Sequence, residues 1–151
     1  MLDHLRSIQV WILAISRRIT WLPPLAARVA VGAVFVSTGW GKLHNLDRVI
    51  EFFRSLGIPA AEYQAPFVAA TEFSCGLLLV AGLATRFAAV PLAVTMLVAI
   101  RTALWPELEG VLDLFGKEEF LFVVLLGWLA VVGAGAISLD ALVVRREAQR
   151  S

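Results

Sequence analysis

Apolar residues fill four stretches of the chain, 25–42, 66–84, 87–105 and 120–139, and polar residues gather between them. Each stretch approaches the roughly 20 residues that an α-helix needs to cross a bilayer core. The pattern predicts an all-α fold, an integral membrane four-helix bundle. The third stretch is the least continuous, since only residues 87–100 are free of charge. Arg86 and Arg101 bracket it, and their long side chains can snorkel to the headgroups while their stems stay in lipid. A soluble bundle is the competing reading. It is disfavoured because helices with so little polar face would leave too much apolar surface in water.

Two further helices follow from periodicity. Leu5, Ile8, Ile12, Ile15, Ile19 and Leu22 recur at alternating spacings of three and four, with Arg6, Gln9, Ser16, Arg17 and Arg18 mostly between them. This predicts an N-terminal amphipathic helix in the membrane interface over residues 1–22. A signal peptide is the alternative, but the apolar core ends in Ser16-Arg17-Arg18 without a small-residue cleavage site. After the first span, Leu46, Val49, Ile50, Phe53 and Leu56 share one face. A short outer interfacial helix fits them, ended by Gly57 and the Ile58-Pro59 step. Pro23-Pro24 is expected to break the chain before the first span, and Gly82, Thr85 and Arg86 to form a tight turn. Pro91 either kinks the third span or is accommodated near its start. The chain thus divides into an interfacial segment, 1–22, a membrane domain, 23–142, and a basic tail, 143–151.

Composition strengthens this picture. The 151 residues are 60% hydrophobic and 17% charged, against roughly 25% charged in soluble domains. A net charge of +1 gives no reason to expect nucleic acid. The placement of charge says more. Arg6, Arg17, Arg18, Arg28, Arg86, Arg145, Arg146 and Arg150 fall on the side of the termini, and Lys42, Arg48, Arg54, Arg101 and Lys117 on the other. The positive-inside rule then puts both termini in the cytoplasm. One cysteine, Cys75, and two histidines, His4 and His44, exclude an intrachain disulfide, a zinc or iron–sulfur ligand set and a bis-histidine haem. Cys75 lies one turn beyond Glu72, as a small packing residue or, less favoured, a redox group.

Three charges interrupt the apolar stretches. By helical rise, Arg28 to Lys42 is about 21 Å, Glu72 to Arg86 about 21 Å and Arg86 to Arg101 about 22 Å. If the inner arginines share one height, Lys42, Glu72 and Arg101 share one outer-leaflet layer. A charge there costs at least a few kcal/mol, so it needs a partner, a water-filled cavity or a function. Two readings stand side by side. Glu72 pairs with Lys42 or Arg101 and holds the bundle together, or the three line a ligand or proton site. In the second, Lys42 and Arg101 donate hydrogen bonds to a quinone-like or other lipid-soluble ligand, and Glu72 accepts or carries a proton. His44 joins as a donor or relay, or is an ordinary interfacial histidine. Arg28, Arg86 and Asp140 form a second cluster at the cytoplasmic end, read as structural, with Asp140 a salt-bridge or capping residue.

These residues carry a resemblance. Arg28-x3-Gly32-x2-Phe35-x3-Gly39-x2-Lys42, then Leu56-Gly57-Ile58-Pro59, then Glu72-x3-Gly76-Leu-Leu-Leu-x2-Gly82-x2-Thr85-Arg86, and last Gly133-x-Gly135-x2-Ser138-x-Asp140 occur in that order. The chain resembles the DoxX family of small four-helix bacterial membrane proteins over about residues 25–142. The resemblance implies a bacterial cytoplasmic-membrane location and association with membrane quinone oxidoreductases, thiosulfate oxidation or redox-stress complexes. No metal or flavin signature is present, so electron transfer would require a redox partner subunit. The expected partners are the lipid bilayer and such a subunit, with a homo-oligomer left open. A non-enzymatic scaffold or assembly role is the alternative function.

Overall fold

The computed structural model describes residues 19–148, and the expected N-terminal amphipathic helix falls almost wholly outside that range. Among the described residues every regular element is helical, and there are no strands. Helix α1 (Leu22–His44) leads into the short α2 (Leu46–Ser55), and α3 (Ala61–Ala81) runs back. Helix α4 (Thr85–Ala99) continues as a π-helical segment, Ile100–Leu104, and a 3-10 turn, Trp105–Glu107. The short α5 (Val111–Leu114), α6 (Glu118–Val132) and α7 (Leu139–Ala148) complete the order.

Three helices are long and apolar enough to cross a membrane: Leu22–His44, Ala61–Ala81 and Thr85–Glu107. The fourth apolar stretch is cut short. A helix over 120–139 was the expectation, but α6 ends at Val132, because Gly133 and Gly135 both adopt positive φ and carry the chain out of the helix. Pro23 and Pro24 also differ from the expected break. They occupy the first turn of α1, where a missing N–H costs nothing. Pro91 is accommodated inside a continuous α4.

The tight turn between α3 and α4 is built locally. Gly82 takes the left-handed conformation, its amide donates to the Leu79 carbonyl, and Leu83 donates to Leu78. That double closure satisfies the last carbonyls of α3 and reverses the chain.

Four helices contribute to one core: Val31 and Phe35 from α1, Leu79 from α3, Ala88, Ala89 and Leu92 from α4, and Leu126 and Leu129 from α6. Helices α1 and α3 approach most closely, through glycines. A Cβ at Gly39 would sit 2.5 Å from the Phe73 amide nitrogen, and one at Gly76 only 2.8 Å from that of Val36. Small residues allow such contact between helices in lipid. Large apolar side chains point outward instead, with Phe67 72%, Phe87 82% and Val131 76% exposed. That is the surface expected of helices solvated by hydrocarbon rather than water.

Candidate functional site

Glu72 is fully buried on α3, yet it is ionisable and lies mid-helix among apolar residues. Its partner comes from α1. Lys42 Nζ donates to both carboxylate oxygens, at 2.6 and 2.7 Å. Thr38, one turn before Lys42, places Oγ1 3.3 Å from Glu72 Oε2 and 3.3 Å from the Phe35 carbonyl oxygen, to which its single proton is shared. The close approach at Gly39 is what lets two α1 side chains reach one α3 carboxylate.

The pair lies in the wall of a cavity of about 820 Å³. Helix α2 supplies Val49 and Phe53 from the apolar face read from the sequence, together with Phe52, while Phe67 and Thr71 of α3 and Val94 of α4 add further wall. Phe67, Val90, Val94 and Val98 line it while remaining largely exposed, so it opens sideways between α3 and α4. Lys42, Arg48, Gln64, Thr71, Glu72, Thr95 and Thr102 are the polar residues of the wall, and the remaining lining residues are apolar. At the rim Arg54 donates to Glu62, tying α2 to the start of α3. That hydrogen bond first, and then the carboxylate's charge, raise the Arg54 pKa above its ordinary value.

Of the four residues expected at the outer site, Lys42, Glu72, Arg101 and His44, the structure brings the first two together. Arg101 is exposed at the start of the π-helical segment, makes no ion pair among the described residues and is absent from the cavity wall, although Ala99, Thr102 and Ala103 beside it are in that wall. Depth alone predicted its height but not its azimuth around α4. His44 is exposed and off the wall, its Nδ1 2.9 Å from the Trp40 carbonyl oxygen and its ring 4.1 Å from the indole. Two contributors escaped the sequence reading. Arg48 is the second cation of the wall, signalled by its place one turn before Phe52. Thr38 is signalled by its place one turn before Lys42.

The inner cluster is assembled differently from an ion-pair network. Arg28 is buried and donates to the carbonyls of Leu79 and Val80, at 3.4 and 3.3 Å, and to that of Ile137. Its Nε has no partner among the described residues. A guanidinium at the last carbonyls of α3 also faces the negative end of the helix dipole. Asp140 caps, as one expected alternative had it: Oδ1 accepts the Ala84 amide at 2.7 Å and Oδ2 the Thr85 amide at 3.1 Å. Its own amide donates to the Gly82 carbonyl at 2.9 Å. Arg86 is exposed beside Gly133 and pairs with neither.

Among the described residues no group of three His, Cys, Asp or Glu side chains could hold a metal ion. What the outer site offers is hydrogen bonding. Lysine carries three protons, and Glu72 takes two of the Lys42 set, leaving one further donor at the wall of a largely apolar cavity.

The DoxX family profile matches residues 24–105. A Bacillus subtilis (strain 168) protein named "Putative oxidoreductase CatD" is 34% identical over 123 residues, which cover 80% of this chain and 87% of that one. "Uncharacterized membrane protein Rv3486" of Mycobacterium tuberculosis is 42% identical over 81 residues, 52% of this chain and 50% of the relative. "Inner membrane protein YqjF" of Escherichia coli (strain K12) is 28% identical over 122 residues, covering 81% and 92%. No solved structure matches. The profile runs from the first turn of α1 through α4, the part that carries Lys42, Glu72 and the cavity, and with the relatives it establishes that this chain belongs to the DoxX family of membrane proteins.

Proposed function

We propose that the protein is a redox-associated membrane subunit that binds a quinone-like, lipid-soluble ligand in the cavity between α3 and α4. One observation carries this reading: Lys42 and the buried carboxylate of Glu72 form an ion pair in the wall of a largely apolar cavity bordered by the exposed apolar residues Phe67, Val90 and Val94. A ring oxygen is an acceptor, and the third proton of Lys42, Thr71 and Arg48 are donors in the wall. The apolar wall accepts the ring and its tail. Glu72 holds the Lys42 ammonium in place and can take a proton through it. Electrons come from a partner subunit, in keeping with the lack of a metal-holding group among the described residues. The name of the Bacillus subtilis relative is in keeping with this role.

In this reading α6 is the fourth span, supported by its share of the core and its outward Leu121, Val124 and Val131. Both termini lie in the cytoplasm of a bacterial inner membrane, on the side where Arg28, Arg86, Arg145 and Arg146 gather.

Tryptophan fluorescence of the detergent-solubilised full chain, titrated with a short-chain ubiquinone, tests the proposal, because Trp40 lies against Phe73, next in sequence to Glu72. Saturable quenching is expected. Ala99→Phe, which fills the cavity, and Glu72→Gln, which frees Lys42, should both weaken it while the protein still extracts at normal yield. A scaffold role is the second reading, favoured by the fact that Glu72 is satisfied by Lys42 and Thr38 of its own chain. Quenching unaffected by Ala99→Phe, with Glu72→Gln lowering only stability, would decide for the scaffold.

A further inference from the structure

A second cavity, of about 420 Å³, lies at the opposite end of the molecule, where α6 gives way to α7. Its walls hold Arg86 from the first turn of α4, Arg145 from α7, and the connecting residues Gly133, Ala134, Gly135 and Ser138. Neither arginine forms an ion pair among the described residues. Asp140 also lines the cavity, but its oxygens accept the Ala84 and Thr85 amides, and buried Arg28 lies close enough to feel its charge. With Arg28, Arg86 and Arg145 against Asp140, the neighbourhood carries an excess of positive charge.

The loop adds a second feature. Between Ala134 and Ser138 no amide donates to a backbone carbonyl among the described residues, although Ala134 is buried and Ser138 nearly so. Buried amides are almost always paired. Gly133 and Gly135, at φ 84° and 79° on either side of Ala134, take this loop out of the helix and leave its amides without helical acceptors. Unpaired amides and two free guanidinium groups together make a receptor for a tetrahedral oxyanion.

We propose that this cavity binds a phosphate group, delivered by an anionic phospholipid headgroup or as a small soluble anion. Arg86 and Arg145 grip the oxygens from two sides and the Gly133–Ser138 loop supplies neutral donors. The site stands independently of the ligand cavity at the other end.

Thermal unfolding of the full chain in a neutral detergent, with added phosphatidylglycerol, phosphatidylcholine or inorganic phosphate, tests it. Phosphatidylglycerol should raise the midpoint saturably and phosphatidylcholine should not. A shift by inorganic phosphate instead, with none from the lipid, keeps the site and makes its occupant a soluble anion. Arg145→Gln, on the exposed face of α7, should weaken the apparent affinity about fivefold. Arg86→Gln should act similarly, and Arg146→Gln, adjacent in sequence but absent from the cavity wall, should leave the affinity unchanged. An equal loss in Arg146→Gln would mean diffuse surface attraction and overturn the proposal, as would no anion dependence at all. Should Arg86→Gln fail to fold, the contrast between Arg145→Gln and Arg146→Gln decides alone.

Discussion

Replacing Lys42 with methionine keeps the stem and removes the ammonium. Glu72 then loses hydrogen bonds of 2.6 and 2.7 Å and retains only Thr38 at 3.3 Å, while its side chain is 2% exposed. Removing one partner of a buried pair costs about 3–5 kcal/mol, because the remaining charge has no compensation. The Lys42 side chain is 33% exposed, so solvent already relieves part of the electrostatics, and the lower end, about 3 kcal/mol, is expected. The partner substitution sharpens the claim. Lys42→Met combined with Glu72→Leu replaces the pair by apolar groups of similar size, and should return to within about 1 kcal/mol of the parent. Chemical unfolding of the four proteins of the cycle in the same micelle, followed by far-ultraviolet circular dichroism, measures the coupling. A single variant that loses less than about 1 kcal/mol would refute the reasoning, because Glu72 would then be hydrated and not buried. So would a double variant as unstable as Lys42→Met alone, since the defect would then lie in packing.

Other expectations follow from the helix contacts. Gly39→Ala should destabilise by about 1–3 kcal/mol in the same assay, because the new Cβ meets Phe73 backbone at 2.5 and 2.9 Å and the helices must part. Since Lys42 lies less than one turn further on, this variant should also weaken quinone quenching. Asp140→Ala removes the acceptor for two amides at the start of α4 and should cost about 1–2 kcal/mol, read as a lower unfolding midpoint. Ala84 sits at φ 49°. Ala84→Gly should therefore raise the midpoint, by about 0.5–1 kcal/mol, since an L-residue is strained there.

Helical rise placed Lys42 and Glu72 at one height from sequence alone, and there they form their pair. The same arithmetic put Arg101 in the layer and missed the cavity, because height is one coordinate and direction around the helix is another. Near Arg101 the winding itself changes to a π-segment, which apolar runs do not reveal. The amphipathic face of α2 was readable because its period is regular, but its role as a cavity wall depends on where α3 and α4 separate. The end of α6 was hidden for another reason. Residues 133–139 remain apolar, and only the positive φ of Gly133 and Gly135 takes them out of the helix. Arg28 donating to Ile137, across 109 residues of sequence, is long-range geometry that no local pattern encodes.

The turn at Gly82 has a mechanical consequence. Arg28 grips the last carbonyls of α3, Asp140 grips the first amides of α4, and a Cβ at Gly82 would land on the Arg28 guanidinium. The two helices are thereby riveted at one end, while the cavity separates them toward the other. They form tweezers with a stiff root and compliant tips. Widening the gap for a bulkier occupant means pivoting about the root, so a substitution at Asp140, far from Glu72, loosens the grip at the tips.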